Sequence, residues 1–216
     1  MTKRIMRVRF SIKQVFPTQN NITNNSEGLI YETNLSKSSF LQLSMEYAED
    51  PVKKADKLVL KGIEFVKSNQ HEQAITCYNN AIKINPKDRD AHIFKGNSLI
   101  QLDMYAEAIE QWNKAIEIDP DYALVWNIKG NLLYKMGKTE DAIVCFDKAL
   151  EIDPKKEFTW NSMGFALSKL DRYEEAIVCF DKALENATNE ENRKGFQKIK
   201  EQVIISKNKK EKVKDT

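Results

Sequence analysis

The sequence contains little proline and glycine, and it has no long apolar run. Five prolines and seven glycines among 216 residues are too few for the many tight turns of a β-sandwich or a β-barrel. No stretch reaches the roughly 18 consecutive apolar residues that a transmembrane helix requires. Hydrophobic residues make up 41 % of the chain and charged residues 31 %, a balance typical of a soluble, helix-rich protein.

Cysteine and histidine are also scarce. The three cysteines, Cys77, Cys145 and Cys179, form no CxxC pair, and the two histidines, His71 and His92, lie far apart with no third ligand nearby. This pattern fits neither a zinc site nor a disulfide framework. We therefore predict no metal, no cofactor and no disulfide. Free thiols indicate a reducing compartment, most simply the cytoplasm.

The chain contains no recognisable catalytic motif. It has no glycine-rich phosphate loop, no HExxH and no GxSxG sequence. The adjacent carboxylates Glu174 and Glu175 fall in the first turn of an expected helix, where acidic side chains complement the helix dipole. We predict no catalytic residues and expect that the protein is not an enzyme.

One interval of 34 residues organises most of the chain. Four separate series of small residues and prolines repeat at this spacing, which chance does not explain. The series are Gly62, Gly96, Gly130, Gly164; Ala74, Ala108, Ala142, Ala176; Ala81, Ala115, Ala149, Ala183; and Pro86, Pro120, Pro154. The interval predicts four units, which span residues 55–88, 89–122, 123–156 and 157–190.

Apolar residues within each unit follow helical spacing, and helices of about 14 residues are marginal alone in water. Each unit must therefore bury its apolar face against its neighbours. Unit three is a representative example, with Trp126, Gly130, Leu133, Ala142, Phe146, Ala149 and Pro154. These residues resemble the tetratricopeptide repeat family. The resemblance implies an all-α fold, a right-handed α-solenoid of four helix-turn-helix repeats in which helix A and helix B of each unit pair.

The pattern departs from the family at several positions. His92 stands at the tryptophan position of unit two, Trp112 stands at its phenylalanine position, and Lys129 stands where the family has leucine. Chaperone-binding members of the family clamp a carboxylate with a lysine at position 5 of one unit. No unit here has that lysine, so this specialisation is disfavoured.

The segments that flank the repeats are predicted separately. Asp50 and Pro51 predict a helix start, so the repeat domain is expected to span residues 51–206. A capping box at Thr188 to Glu191 predicts a capping helix over about residues 189–206, and residues 207–216 read as a lysine-rich tail. Residues 1–37 are expected to form a disordered, basic and Asn-rich lead and linker. Residues 38–50 are a candidate short amphipathic helix.

The resemblance implies that the A helices line a concave groove that binds partner proteins. Carried over position by position, the groove combines apolar walls with a cluster of asparagines. The predicted ligand-contacting residues are Ile93, Asn97, Ile100, Leu124, Asn127, Asn131, Tyr134, Phe158, Asn161 and Phe165. A carboxamide both donates and accepts hydrogen bonds, so it can pair with the backbone of an extended peptide.

Three functions are compatible with the sequence. The first is a non-enzymatic scaffold that binds a peptide segment of a partner protein in the groove. The second is a structural protein in which residues 38–49 or a second copy of the chain, as a homo-oligomer, fill the groove, since exposed apolar patches seldom stay empty. The third, which is disfavoured, is contact with nucleic acid or an anionic surface through Lys207, Lys209, Lys210, Lys212 and Lys214.

Overall fold

The computed structural model describes residues 24–25, 28–29 and 50–214, with side chains of the last segment described to residue 212. Ahead of the repeats, β1 (Asn24–Asn25) pairs antiparallel with β2 (Gly28–Leu29), so that Asn24 lies opposite Leu29. The rest of the predicted lead and linker of residues 1–37 lies outside the described residues. The candidate amphipathic helix lies outside them too, except for Asp50, which precedes the first helix.

Within residues 50–214 the chain folds into nine helices, and each helix packs against the next one along the chain. They are α1 (Pro51–Lys67), α2 (His71–Ile84), α3 (Arg89–Gln101), α4 (Tyr105–Ile118), α5 (Ala123–Lys135), α6 (Thr139–Ile152), α7 (Glu157–Lys169), α8 (Tyr173–Glu185) and α9 (Glu190–Lys214). Helices α1, α3, α5 and α7 are the A helices, α2, α4, α6 and α8 are the B helices, and α9 follows them. The all-α solenoid prediction is confirmed. Helix α1 begins as expected, with the Asp50 carboxylate accepting a hydrogen bond from the Val52 amide at 3.0 Å.

The repeated glycine brings helix A close to helix B. An added Cβ at Gly130 would lie 2.6 Å from Cε1 of Phe146, and one at Gly62 would lie 2.4 Å from Cε1 of Tyr78. The aromatic ring therefore occupies the space that any larger residue would need. The turns from A to B repeat as well, because Asn69, Asp103, Gly137 and Asp171 all adopt positive φ angles, between 57° and 81°. Asparagine, aspartate and glycine tolerate this conformation best.

The tryptophan position joins each unit to the preceding one. Trp126 donates from Nε1 to the Pro120 carbonyl at 3.0 Å, and Trp160 makes the same bond to the preceding repeat at 2.8 Å. In unit two, Nε2 of His92 lies 3.2 Å from the Pro86 carbonyl. Histidine can therefore replace tryptophan there, because its ring nitrogen reaches the same acceptor.

The last helix differs from its prediction at both ends. Asn189 caps α9, since its side chain accepts from the Asn192 amide at 2.8 Å. Thr188, the expected cap, instead donates its hydroxyl to Glu157 at 2.7 Å. The expected end near residue 206 is wrong because α9 continues to Lys214. The predicted lysine-rich tail is thus mostly the last turns of a helix.

Ion pairs join the extended end of α9 to the preceding repeat. Lys207 lies 2.8 Å from Glu174 and 3.8 Å from Glu211, and Lys210 pairs with Asp171. These contacts attach the last turns of α9 to the beginning of α8. Every helix in the described part of the chain is too short or too polar to span a lipid bilayer.

The three cysteines are buried, and none of them forms a disulfide. Each lies on a B helix, at the same position of its repeat. Burial raises the pKa of the Cys179 thiol to about 12 and also raises the pKa of Cys145. No cluster of metal-ligating side chains occurs within the described residues.

Candidate functional site

The predicted groove presents three large apolar side chains to solvent. Leu124 is 52 % exposed on α5, and Phe158 and Phe165 are 59 % and 37 % exposed on α7. The two phenylalanines are held by edge-on contacts with buried rings. Phe158 contacts Phe196 of α9 with ring centroids 5.8 Å apart, and Phe165 contacts Phe180 of α8 at 5.7 Å. The exposed rings therefore have fixed positions, which reduces the conformational entropy that they lose on binding.

A chain of side-chain hydrogen bonds crosses from α5 to α7 beside these residues. The Asn131 side chain donates to the side-chain oxygen of Asn127 at 3.0 Å, and the Asn127 side chain donates to the Thr159 hydroxyl at 2.6 Å. Thr159 is buried, Asn127 is half-buried and Asn131 is exposed. The half-buried bond to Thr159 orients Asn127, and Asn127 in turn orients the exposed carboxamide of Asn131.

The other two predicted asparagines do not join this chain. Asn97 is exposed on α3. Asn161 is half-buried on α7, and its side-chain oxygen is buried without a hydrogen-bond partner among the described residues. The predicted cluster of four asparagines is therefore one bonded pair and two separate residues.

The prediction for Ile93 is wrong, because this side chain is only 5 % exposed and lies in the core with Trp112 and Val125. Val59, at the same position of unit one, is also buried, whereas Asn127 and Asn161 at this position are half-buried. The position lies at the border between groove and core. An apolar side chain there gains free energy by turning inward.

Ile100 and Tyr134 are half-buried and pack against the core clusters. The ammonium group of Lys169 also lies over the Tyr134 ring, with Nζ 4.9 Å from the ring centroid. Lys135 makes a similar contact with Tyr105, at 5.4 Å. The two lysines occupy the same position of successive repeats and were not among the predicted contact residues, although their 34-residue spacing is visible in the sequence.

A cavity of about 260 Å³ opens between α1, α2 and α3. Asn97 is the one predicted contact residue on its wall. The buried polar residues His71, Tyr78 and Ser98 also line it, and sequence reasoning missed them. Tyr78 and Ser98 occupy repeat positions that normally serve packing, so their spacing alone gives no functional signal.

Two sequence models of one repeat family match this chain. The first, described as Tetratricopeptide repeat, matches residues 123–156 and 158–187, and the second, described as TPR repeat, matches residues 62–93 and 96–137. Together they cover more than half of the chain. No curated protein sequence matches it significantly.

Solved structures show the same fold. PilF of Pseudomonas aeruginosa is 21 % identical with a TM-score of 0.60, over 71 % of this chain and 72 % of PilF. YrrB, described as a TPR protein with an unusual peptide-binding site, is 20 % identical with a TM-score of 0.57, over 76 % and 84 % of the two chains. The first TPR of Spaghetti (RPAP3), bound to the HSP90 peptide SRMEEVD, is 22 % identical with a TM-score of 0.53, over 56 % and 95 %.

Proposed function

The chain belongs to the tetratricopeptide repeat family, and we propose that it is a non-enzymatic interaction module that binds an extended peptide segment of a partner protein in its groove. The observation that carries the proposal is the placement of exposed apolar side chains beside oriented carboxamides on neighbouring A helices. Solved relatives with the same fold, YrrB and the Spaghetti domain, are described with a peptide-binding site and a bound peptide. The three free, buried thiols fit a reducing compartment such as the cytoplasm.

The groove supplies two kinds of contact that an extended peptide requires. Leu124, Phe158 and Phe165 provide apolar surface for alternate side chains of the ligand. Asn131 donates one N–H to Asn127, so it offers its second N–H and its side-chain oxygen to the ligand backbone. A short peptide buries an area near the low end of specific interfaces, so we expect dissociation constants on the order of micromolar.

The ion pairs of α9 support the groove over the electrostatic alternative. Lys207 and Lys210 each contact an acidic side chain of the preceding repeat segment. Their charge is thus partly compensated within the protein, which weakens attraction to nucleic acid or an anionic surface. Self-association remains an alternative that the experiment below distinguishes.

The test is selection of binding peptides from a random displayed library by the full chain, followed by affinity measurement in solution. Replacing Asn127, Asn131 and Phe165 together with alanine should weaken the selected peptides at least about 10-fold, which corresponds to about 1.4 kcal/mol. The matched control replaces Val144 and Val178 with alanine in the same way. These two residues are 58 % and 57 % exposed on the B helices α6 and α8. The control should change affinity by less than about twofold, near the limit of a surface substitution.

Both variants must retain the helical circular dichroism signal and the sedimentation mass of the parent. The proposal is refuted if the groove variant binds the peptides as well as the parent does, or if the control variant loses as much affinity. A different outcome would assign the groove to self-association. In that case the parent selects no peptide and sediments as a dimer, whereas the groove variant sediments as a monomer.

A further inference from the structure

The charged side chains of units three and four are divided unevenly between the A helices and the B helices. The A helices α5 and α7 carry three lysines, and their only carboxylate is the buried Glu157. The B helices α6 and α8 carry two lysines and eight carboxylates. Lys148 on α6 pairs with Glu151 at 2.7 Å. Lys182, at the same position of unit four, pairs with Glu185 at 2.8 Å. The lysines of the B helices are therefore neutralised within their own helices.

Two lysines of the A helices have no such partner. Lys135 and Lys169 form no ion pair with any residue that the structure describes. No acidic residue stands three or four positions before or after either of them, where a partner on the same helix would lie. Both lie in the last turn of a helix, where a positive charge complements the helix dipole. That role depends on the position of the charge and leaves both ammonium groups available to a ligand.

Aromatic rings fix the positions of these two ammonium groups. Nζ of Lys169 lies 4.9 Å from the centroid of the Tyr134 ring, so this side chain reaches from α7 to the predicted groove residue on α5. Nζ of Lys135 lies 5.4 Å from the centroid of the Tyr105 ring at the start of α4. A cation within about 6 Å of a ring centroid is attracted to the ring and keeps its charge. The rings therefore position both charges without neutralising them.

Each lysine lies one helical turn from a predicted ligand contact. Lys135 follows Asn131 by four positions, and Lys169 follows Phe165 by four positions. Residues four apart share one face of a helix, so each lysine lies on the groove face of its helix. Neighbouring packed helices are about 8–10 Å apart, and alternate side chains of an extended peptide are about 7 Å apart. Two ligand side chains separated by one residue can therefore reach both lysines, because long lysine side chains cover the difference.

The number of available charges favours a peptide over a nucleic acid. Binding to nucleic acid depends on neutralising several phosphates, for which two lysines are few. A carboxylate side chain needs one cation, and an apolar ligand residue beside it can pack on the exposed ring of Phe165. The same face thus combines charge complementarity for an acidic side chain with apolar surface for its neighbour.

We propose that Lys135 and Lys169 make the groove selective for acidic peptides, each by pairing with the carboxylate of an aspartate or glutamate side chain. The two acidic residues of the ligand are separated by one residue, and an apolar residue near them packs on Phe165. The carboxylates belong to side chains, so the ligand needs no free C-terminus. This selectivity names the ligand class of the groove and rests on the proposed function.

The first test repeats the selection from a random displayed peptide library with the parent and two variants of the full chain. The A-helix lysine variant carries Lys135→Gln and Lys169→Gln, and the matched B-helix lysine variant carries Lys148→Gln and Lys182→Gln. Both variants remove two positive charges from the same two repeats. The parent and the B-helix lysine variant should select peptides with two acidic residues separated by one residue. The A-helix lysine variant should lose this acidic preference and retain the apolar part of the motif.

The second test measures the pairing with one selected peptide, synthesised unchanged and with both acidic residues replaced by their amides. Since exposed ion pairs are weak, we expect the amide form to bind the parent about 5- to 20-fold more weakly at low salt. In the A-helix lysine variant the two forms should differ less than about twofold. The difference in the parent should also shrink in 1 M salt, where the Debye length falls to about 3 Å. The comparison in the parent needs no protein variant, so it remains decisive if a variant fails to fold.

Several results would overturn the acidic selectivity and leave the groove itself intact. One is a selected motif without acidic residues. Another is an acidic preference that persists in the A-helix lysine variant or that the B-helix lysine variant loses equally. Equal binding of the acidic and amide forms to the parent also counts against the selectivity. Displacement of the acidic peptide by a short single-stranded DNA at a similar concentration would assign the lysines to nucleic acid instead. If the parent selects no peptide, both this proposal and the proposed function fall.

Discussion

Glu157 links the start of α7 to the beginning of the last helix. It is 6 % exposed at the start of α7, and its carboxylate accepts hydrogen bonds from the Thr188 hydroxyl at 2.7 Å, the side-chain carboxamide of Asn192 at 3.0 Å and the Thr188 backbone amide at 3.4 Å. A hydrogen bond to a charged group contributes about 1.5–3 kcal/mol to the free energy of unfolding. When Glu157 is removed, water can partly replace it as the acceptor for Thr188 and Asn192, which reduces the net loss. We expect Glu157→Ala to lower the free energy of unfolding by about 2–4 kcal/mol.

The pH dependence of this effect has a defined sign. Burial alone would raise the pKa of Glu157, but the hydrogen bonds from Thr188 and Asn192 outweigh it and lower the pKa. The contribution is therefore fully present above the ordinary carboxyl value of about 4.3 and is lost as the pH falls through the lower folded value. The difference between parent and Glu157→Ala should shrink towards pH 3.

Urea unfolding followed by circular dichroism measures this difference, with Glu140→Ala as the control. Glu140 is exposed in the first turn of α6, so it reports only the interaction of an acidic side chain with the helix dipole, about 0.3–1 kcal/mol. The reasoning is refuted if Glu157→Ala destabilises no more than Glu140→Ala. A difference that stays unchanged at pH 3 would refute the assigned role of the charge.

Two further predictions concern packing and reactivity. Gly130→Ala should destabilise the protein by about 1–3 kcal/mol, because the added Cβ would meet the Phe146 ring. Gly195→Ala should stabilise it by up to about 1 kcal/mol, because no atom lies within 4 Å of the added Cβ. Urea unfolding of both variants checks these values, and equal effects of the two substitutions would contradict them. Burial raises the pKa of Cys179 to about 12, so this thiol should be inert to a thiol reagent in the native protein and should react at once in urea. Rapid reaction of Cys179 in the native protein would contradict its burial.

Much of the fold could be predicted because its constraints repeat. The spacing of Gly62, Gly96 and their equivalents reports the close approach of paired helices, and the structure places an aromatic ring against each of them. The substitution of His92 for tryptophan was visible in the sequence, but its reason was not. It became clear only when the ring nitrogen was located near the Pro86 carbonyl.

The rest depended on contacts that link distant parts of the chain. The end of α9 is paired with the preceding repeat, as by Lys207 with Glu174, a contact that a local reading of the lysine run does not reveal. Ile93 shares a repeat position with Asn127, and the chemistry of each side chain decides whether it faces core or groove. The polar cavity arises because Tyr78 and Ser98 come from different repeats and meet only after the helices stack.

The most direct test of the account is to locate a selected peptide on the protein by photo-crosslinking. Leu124 and Val178 are exposed to similar extents, 52 % and 57 %, on an A helix and a B helix respectively. Each is replaced in turn by benzoylphenylalanine, and cross-linked products are identified by mass spectrometry. The account predicts efficient cross-linking from position 124 and little from position 178. Equal cross-linking from both positions, or cross-linking from position 178 alone, would contradict it.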